Sequence, residues 1–423
     1  MRRSRVVAGG ICLASWGAFF PGSAQEIIRL PGEDRWLEAD FDEVYRVGSL
    51  AGEDWEQFGR IAGLAFDGSG NLYVLDRQAA RVVVVAPDAS HLRTFGRAGD
   101  GPGEFRRATR IAVTAEGRAM VFDGEQSTFH IFDPGGQLVR TVRLPGGALM
   151  TTMPDLDAAG AGLGVIPNGS VASMSFGMIT GTETDEPVRR SRPVTRLRLS
   201  GDEVETDTIA MAWMAAPEPA DARPRHEGVT WRGGRALALA PSMLVGALPD
   251  SGVVFSDSSD YSLEVTNAEG AVQRILMRPI APEPVTDRIR EAEKERRRRD
   301  WEQPGLRMAG TEMPERAVPM LERIRESQRA AIDTWPFFPE VPVIRDIQTS
   351  WRGAIWVRRI GDDPLIDGPV DVLTANGEYV GTYPAEATEI PAAFGPDGLA
   401  AFIDTDEFDV ETVVVRRLPA TVN

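Results

Sequence analysis

"GLAFDGSGNLYVLDRQAARVVVVAPDASHLRTFG" occupies residues 63–96, and "RIAVTAEGRAMVFDGEQSTFHIFDPGGQLVRTVRL" occupies residues 110–144. Both run in the same order: an apolar stretch, a Gly turn, a second stretch ending in Asp, and a polar turn. A third stretch, a Gly or Pro turn and a fourth stretch complete the unit. Short runs rich in Val, Ile and aromatics, bounded by Gly, Asp and Asn, read as strands. Two such blocks in succession are a repeat, so the building block is a four-stranded antiparallel unit. The first turn recurs as "DGSG", "TAEG", "IPNG", "PDSG", "SWRG" and "GPDG", with last glycines Gly70, Gly117, Gly169, Gly252, Gly353 and Gly398. The steps between them are 47, 52, 83, 101 and 45 residues, one repeat each with an insertion in the two long ones.

Units of four short strands bury both sheet faces by packing radially, which is the β-propeller solution to exposed sheet edges. Six turns predict an all-β, six-bladed propeller of four-stranded antiparallel blades. The last unit, "EIPAAFGPDGLAAFIDTDEFDVETVVVRRL" (389–418), shows only three strands. The missing fourth is expected from "DEVYRVGS" (42–49), a closing strand ahead of the first complete unit. Between the first two units lies "GRAGDGPGEF" (96–105). A phosphate loop would need a helix after it and usually a Lys. Strand-forming sequence follows instead, so this segment reads as the crossover from one unit to the next.

That crossover, followed by Ile-Ala-Val and the D-x-x-G-x-x-x-V-x-D pattern of residues 67–76, resembles NHL-type six-bladed propellers of secreted bacterial proteins. The resemblance covers residues 61–144 strongly, 343–418 less so, and 155–280 in degraded form. It implies a fold far more than an activity, because one propeller hosts binding proteins, lactonases and lyases.

Residues 1–24 read as a secretory signal: Arg2, Arg3 and Arg5, an apolar run over 6–20, then "PGSA" with cleavage expected after Ala24. The mature chain of 25–423 is then the propeller, destined for the periplasm or the cell exterior. Cys12 is the single cysteine, so the mature chain has no disulfide, no thiolate nucleophile and no Cys metal ligand. Loss of the three arginines takes the formal charge from −17 to −20. That charge disfavours nucleic acid and anionic lipid as partners. No membrane span is expected, and a monomer is the expected state.

In a propeller unit the first-to-second and third-to-fourth turns share one end. The second-to-third turns and the crossovers share the other. The regular Gly turns fall at the first end, and three long segments fall at the second: 177–193, 201–236 and 279–342. Long loops gathered on one face of a rigid scaffold usually carry recognition. The 279–342 insertion is expected to be mainly helical, with one helix over 286–303 capped by Thr286 and another over 319–335. Arg296 to Arg299 offer a basic run for an acidic partner, set against a solvated helix with internal ion pairs. The insertions supply Trp213, Trp231, Trp301, Trp335, Phe337 and Phe338, beside Arg225, Arg232 and Arg307. Aromatics with Arg are a common recognition composition. The bland alternative is that the rings pack the insertions onto the blades.

Second strands end in Asp at Asp76, Asp123, Asp257 and Asp404. A carboxylate ring could hold calcium. Turn capping by each Asp is the competing account, and it follows from repeat geometry alone. Phe176 and Arg359 stand at the matching places of two other units, leaving any ring incomplete. The histidines His91, His130 and His226 are too scattered for the His-liganded metal that a lyase of this resemblance would use. No catalytic set and no cofactor emerge. The expectation is a binding module for a small molecule, peptide or protein on the insertion-bearing face. The alternative is a divalent-cation-dependent hydrolase or lyase acting at the central channel.

Overall fold

The computed structural model describes residues 25–144, 156–158, 164–167, 191–218, 236–302, 329–363 and 365–423. The chain opens with β1 (Glu26–Arg29) and β2 (Asp42–Val47), which both join sheets built from distant sequence. The first repeat forms β3 (Ile61–Phe66), β4 (Leu72–Asp76), β5 (Arg81–Val85) and β6 (His91–Phe95), in that spatial order. The second forms β7 (Ala108–Val113), β8 (Ala119–Asp123), β9 (Thr128–Phe132) and β10 (Leu138–Arg143). β4 and β8 are buried at all five positions, because a middle strand has a neighbouring sheet on each face. The outermost strands β6 and β10 alternate in exposure instead. The repeat pattern of the sequence thus translates into blades.

The third sheet is β11 (Leu156–Ala158), β12 (Gly164–Pro167), β13 (Ser191–Arg198) and β14 (Glu205–Trp213). The fourth is β15 (Leu244–Ala247), β16 (Val253–Ser256), β17 (Ser262–Thr266) and β18 (Val272–Met277). A short pair, β19 (Glu283–Pro284) and β20 (Glu340–Val341), stitches the base of the largest insertion. β21 (Ile344–Thr349), β22 (Ile355–Ile360), β23 (Asp367–Leu373) and β24 (Tyr379–Tyr383) form the next sheet. The last is β25 (Ala393–Phe394), β26 (Leu399–Thr405) and β27 (Glu411–Arg417), completed by β2. β2 runs antiparallel to β27, from Asp42 opposite Arg417 to Val47 opposite Val413.

The hydrophobic clusters show how the sheets are arranged. One joins the first and second sheets, another the second and third, and a third the third and fourth. Two more join the fourth to the β21–β24 sheet and that sheet to the last. The sixth joins the last sheet back to the first, through Tyr45, Val47, Phe66, Leu399 and Val413. The sheets therefore form a closed ring, an all-β propeller with little helix.

Several expectations need correction. Five blades are four-stranded, not six; the remaining sheet has five strands, because β1 adds in parallel to β18 with Ile27 opposite Ile275. The segment 201–236 is not one insertion, since β14 occupies 205–213 and pairs along β13. In the same sheet "IPNG" is not the first turn. Ile166 and Pro167 lie within β12, whose register against Leu197 and Arg198 fixes it as the second strand. In the insertion before β21, expected to be mainly helical, the structure gives one helix with described bounds, α1 (Asp287–Glu302), where a helix over 286–303 was expected. A helical stretch also covers 329–333, and the rest of the expected second helix lies outside the described residues. The signal segment 1–24, Gly169, Phe176 and His226 lie outside them as well. No helix among the described residues is long and apolar enough to cross a membrane.

Candidate functional site

A cavity of ≈570 Å³ lies along the propeller axis, walled by the innermost strands β3, β7, β15, β21 and β25. Each of these strands has a sheet neighbour on one side only. Its other edge presents backbone N–H and C=O groups inward, where they are unpaired by the sheet. One of them is taken up: the Ile61 N–H donates to the Glu411 carboxylate at 2.5 Å, fastening the last blade to the first. Small residues such as Gly63, Ala112 and Ala247 keep the wall thin, so the axis stays open rather than filled.

Charge enters the cavity at few points. Arg110 and Asp346 occupy the third of six positions in β7 and β21, so both sit near mid-strand, in the half toward the crossovers. The guanidinium of Arg110 donates to the Thr109 carbonyl at 2.6 Å, and the Asp346 carboxylate accepts the Ile347 N–H at 2.8 Å. Toward the Gly-turn end lie Glu116, Ser350 and the half-buried ring of Trp351. Trp351 packs against the hydrophobic clusters on both flanks of the last blade. Glu116, Ser350 and Trp351 fall in the recurring turns "TAEG" and "SWRG", which the repeat accounts for, and neither Arg110 nor Asp346 stood out by motif. The signal in the sequence was a charged residue in an inner strand, beside Thr109 in "ATRIAV" and among Arg345, Gln348 and Thr349 in "IRDIQT".

The insertion aromatics are partly brought together. Trp213, at the end of β14, meets Phe338 edge-on with ring centroids 6.2 Å apart and remains 43% exposed. The Trp335 indole N–H donates to the Ala236 carbonyl at 3.0 Å, and Arg297 of α1 lies over its ring at 4.5 Å. Phe337 bridges to Ala238 and packs on the fourth blade's core. These contacts stitch the segment before β15 to the segment before β21. For Trp335 and Phe337 the tying role is therefore visible, whereas Trp213 stays open to solvent. Arg225, Trp231, Arg232, Arg307 and the side chain of Trp301 lie outside the described residues.

The basic run on α1 is engaged by its own surroundings. Glu293 accepts from Arg296 and Arg297 at 2.7 Å each, and Arg298 bonds Asp333 at 2.5 Å. Burial works against the charge on Glu293, but the two guanidinia outweigh it and hold the carboxyl below its ordinary value. Ile289 packs among Val341, Val343 and Ile344, which seats α1 beside the start of β21.

Two of the four aspartates, Asp76 and Asp123, act on turn and crossover backbone. Asp76 accepts from the N–H groups of Gly59, Arg60 and Ala79. Asp123 accepts from Arg106, Arg107, Glu125 and Gln126, at 2.7 to 2.9 Å. Each thus caps its own turn and also clamps the incoming crossover. Asp257 accepts from the Trp213 N–H, and Asp404 pairs with Arg46 at 3.2 Å. No group of three or more His, Cys, Asp or Glu side chains gathers among the described residues. His91 stacks on Trp55, and His130 is buried in the second blade.

The crossover "GRAGDGPGEF" is held by its own bonds. Phe105 N–H donates to the Arg97 carbonyl at 2.7 Å, and Glu104 accepts from the Gly101 N–H at 2.8 Å. Gly96 at φ +83° carries the exit from β6; a Cβ there would meet the Phe105 ring at 2.4 Å.

No protein-family profile and no curated protein matches the chain. The NHL resemblance therefore rests on the quoted residues alone. Among solved structures, a member of the DUF4221 family from Bacteroides vulgatus is 11% identical, with a TM-score of 0.49 over 90% of this chain and 98% of that one. A gluconolactonase from Xanthomonas campestris is 14% identical, with a TM-score of 0.37 over 91% and 98%. Virginiamycin B lyase from Staphylococcus aureus is 9% identical, with a TM-score of 0.38 over 88% and 83%. At these values none of their activities transfers to this chain.

Proposed function

We propose that the protein is an extracytoplasmic binding module that takes a small molecule, or the tip of a peptide or protein, into its axial cavity from the insertion-bearing end. The observation that carries this reading is the open cavity of ≈570 Å³, a volume within the range of small-molecule sites. Its wall combines inward-facing backbone groups and apolar side chains with the polar groups of Arg110, Glu116, Asp346, Gln348, Thr349 and Ser350. α1 and the segments stitched by Trp335 and Phe337 lie in the connections that lead into β15 and β21, at the crossover end of those strands, and among the described residues contribute none to the cavity wall. Export through residues 1–24 belongs to the same reading.

The test is a thermal-shift screen of the mature chain against amino acids, dipeptides and mono- and disaccharides, followed by calorimetry on any compound that shifts. Binding should be lost in the Arg110→Leu/Asp346→Leu double variant if that variant folds like the wild type. Should it not fold, Gln348→Leu carries the same comparison. A screen without a binder, or a binder held equally by the variant, refutes the proposal.

A further inference from the structure

Between β1 and β2 the chain crosses the outer edges of two blades as a strap with little buried of its own. None of residues 31–40 is buried, and only Asp34, Leu37 and Ala39 are half-buried. The strap is held to β24 by two backbone bonds, Leu37 N–H to the Thr382 carbonyl at 2.9 Å and Thr382 N–H to the Arg35 carbonyl at 2.8 Å. Arg278 also holds its backbone, donating to the Pro31 carbonyl at 2.8 Å and the Glu33 carbonyl at 3.0 Å, and the Arg35 N–H donates to the Tyr379 hydroxyl at 3.1 Å. The strap side chain that reaches the buried arginines is Asp34. Asp34 accepts from Arg278 at 2.6 Å on one oxygen and from Arg359 at 2.6 Å on the other. Thr382 lies 3.4 Å from the first oxygen.

What lies beneath Asp34 is built without it. The side chain of Arg278 is 0% exposed and rests on the Tyr379 ring at 4.6 Å. Asp371, also 0% exposed, takes Arg278 at 2.8 Å and Arg359 at 3.3 Å and accepts the Thr382 hydroxyl at 2.7 Å. The blades thus supply two guanidinia and one carboxylate, and the second negative charge comes only from the strap. Without it the site keeps an excess buried positive charge, which is costly unless an anion fills it. Arg forks bind carboxylates in two-point fashion, so the natural filler is another carboxylate. Asp34 itself is 22% exposed, so water and solutes reach the seat.

We propose that Arg278, Arg359 and Thr382 form a carboxylate-binding cradle that Asp34 occupies in cis, making residues 30–41 a displaceable strap. A free carboxylate or the acidic side chain of a peptide fills the same seat when Asp34 leaves. Burial raises the cost of charge on Asp34, but the two arginines prevail and keep its carboxyl below the ordinary value. The seat is therefore occupied by an anion at neutral pH.

The experiment uses the full mature chain carrying Asp34→Ala, followed by hydrogen exchange over residues 30–41 and 379–383. Exchange of the Leu37 and Thr382 amides is expected to speed by about tenfold or more, because their partners lie across the strap. Acetate should reverse this and raise the melting temperature in a saturable way, while chloride at the same ionic strength should not. A peptide of residues 30–40 should restore protection where the same peptide with Ala at the Asp34 position fails; this arm separates a peptide-borne from a free carboxylate. The wild type should respond to neither. Unchanged exchange in Asp34→Ala, or equal effects of acetate and chloride, overturns the proposal. If Asp34→Ala does not fold, Asp34→Asn keeps the shape and one acceptor oxygen and carries the same comparison.

Discussion

Closure of the ring by β2 yields a prediction whose size can be worked from the structure. Tyr45 and Val47 are 8% and 2% exposed and point into the cluster shared by the first and last blades, among Phe58, Phe66, Leu399 and Val413. Val44, which precedes Tyr45, faces outward and is 38% exposed. Truncating a large buried side chain costs about 2–5 kcal/mol, and a buried Val about 1–2 kcal/mol. The two share one cluster, so their effects overlap, and the Tyr45→Ala/Val47→Ala double variant should lose about 3–6 kcal/mol. Against a typical total of about 5–15 kcal/mol this is a large fraction. The strand's backbone bonds to β27 survive in that variant, so the loss isolates the seam's packing. The assay is urea unfolding followed by tryptophan fluorescence, with Val44→Ala as control, expected within about 0.5 kcal/mol of wild type. A double variant with the wild-type midpoint, or a control that is equally damaged, would refute closure by this strand.

Asp123→Ala should strand four backbone N–H groups, cost about 2–4 kcal/mol, and open the 97–107 crossover to limited proteolysis; unchanged cleavage there would exclude the clamp. Burial pushes His130 below its ordinary value, with Asp123 pulling the other way. The unfolded chain therefore binds a proton first, and stability falls as pH drops from about 6.5 toward the lowered folded value. His130→Gln should flatten that slope in urea midpoints measured from about pH 7.5 to 5, and an unaltered slope would assign it to other groups. Trp356, fully buried, donates to the Val422 carbonyl at 2.8 Å, so Trp356→Phe should cost about 1–3 kcal/mol and loosen the C-terminus in hydrogen exchange; unaltered protection of residues 418–423 would mean this bond does not anchor them.

The blades were legible because burial on both faces leaves no freedom in composition. β4, β5 and β8 each carry four consecutive apolar residues, β9 interrupts its aromatic and aliphatic run at His130, and the glycines after β3 and β7 sit at φ +82° and +81°, where other residues are strained. The closing segment was legible by subtraction, as a unit one strand short. β1 was not. Its pairing with β18 is parallel and joins residues some 250 positions apart, and "EIIR" carries no turn signal to fix a partner. The 201–236 segment misled for a related reason. β14 is an outer strand with little buried, polar at its first four positions (Glu205 to Thr208) and apolar at the last five, and its Asp, Glu and Thr content resembles that of a loop.

The candidate site was hidden for a deeper reason than faint motifs. A propeller's inner strands turn their side chains toward the neighbouring blades, as Leu64 and Phe66 do in the seam between first and last blades. What remains for the axis is backbone edge, which every sequence possesses alike. Recognition in such a channel falls to the few inner-strand positions where a charged or polar residue replaces an aliphatic one, and Arg110 and Asp346 are of that kind. The same geometry separates the two anion-relevant places in the molecule. The axial cavity offers one guanidinium and one carboxylate in the half toward the crossovers, which suits a ligand carrying both charges or neither. The cradle under Asp34 offers two guanidinia against one carboxylate on the outer rim, which suits an anion. A compound that binds the axis should therefore leave exchange at Thr382 untouched, and a carboxylate that rescues Asp34→Ala should rescue it equally when Arg110→Leu/Asp346→Leu is added.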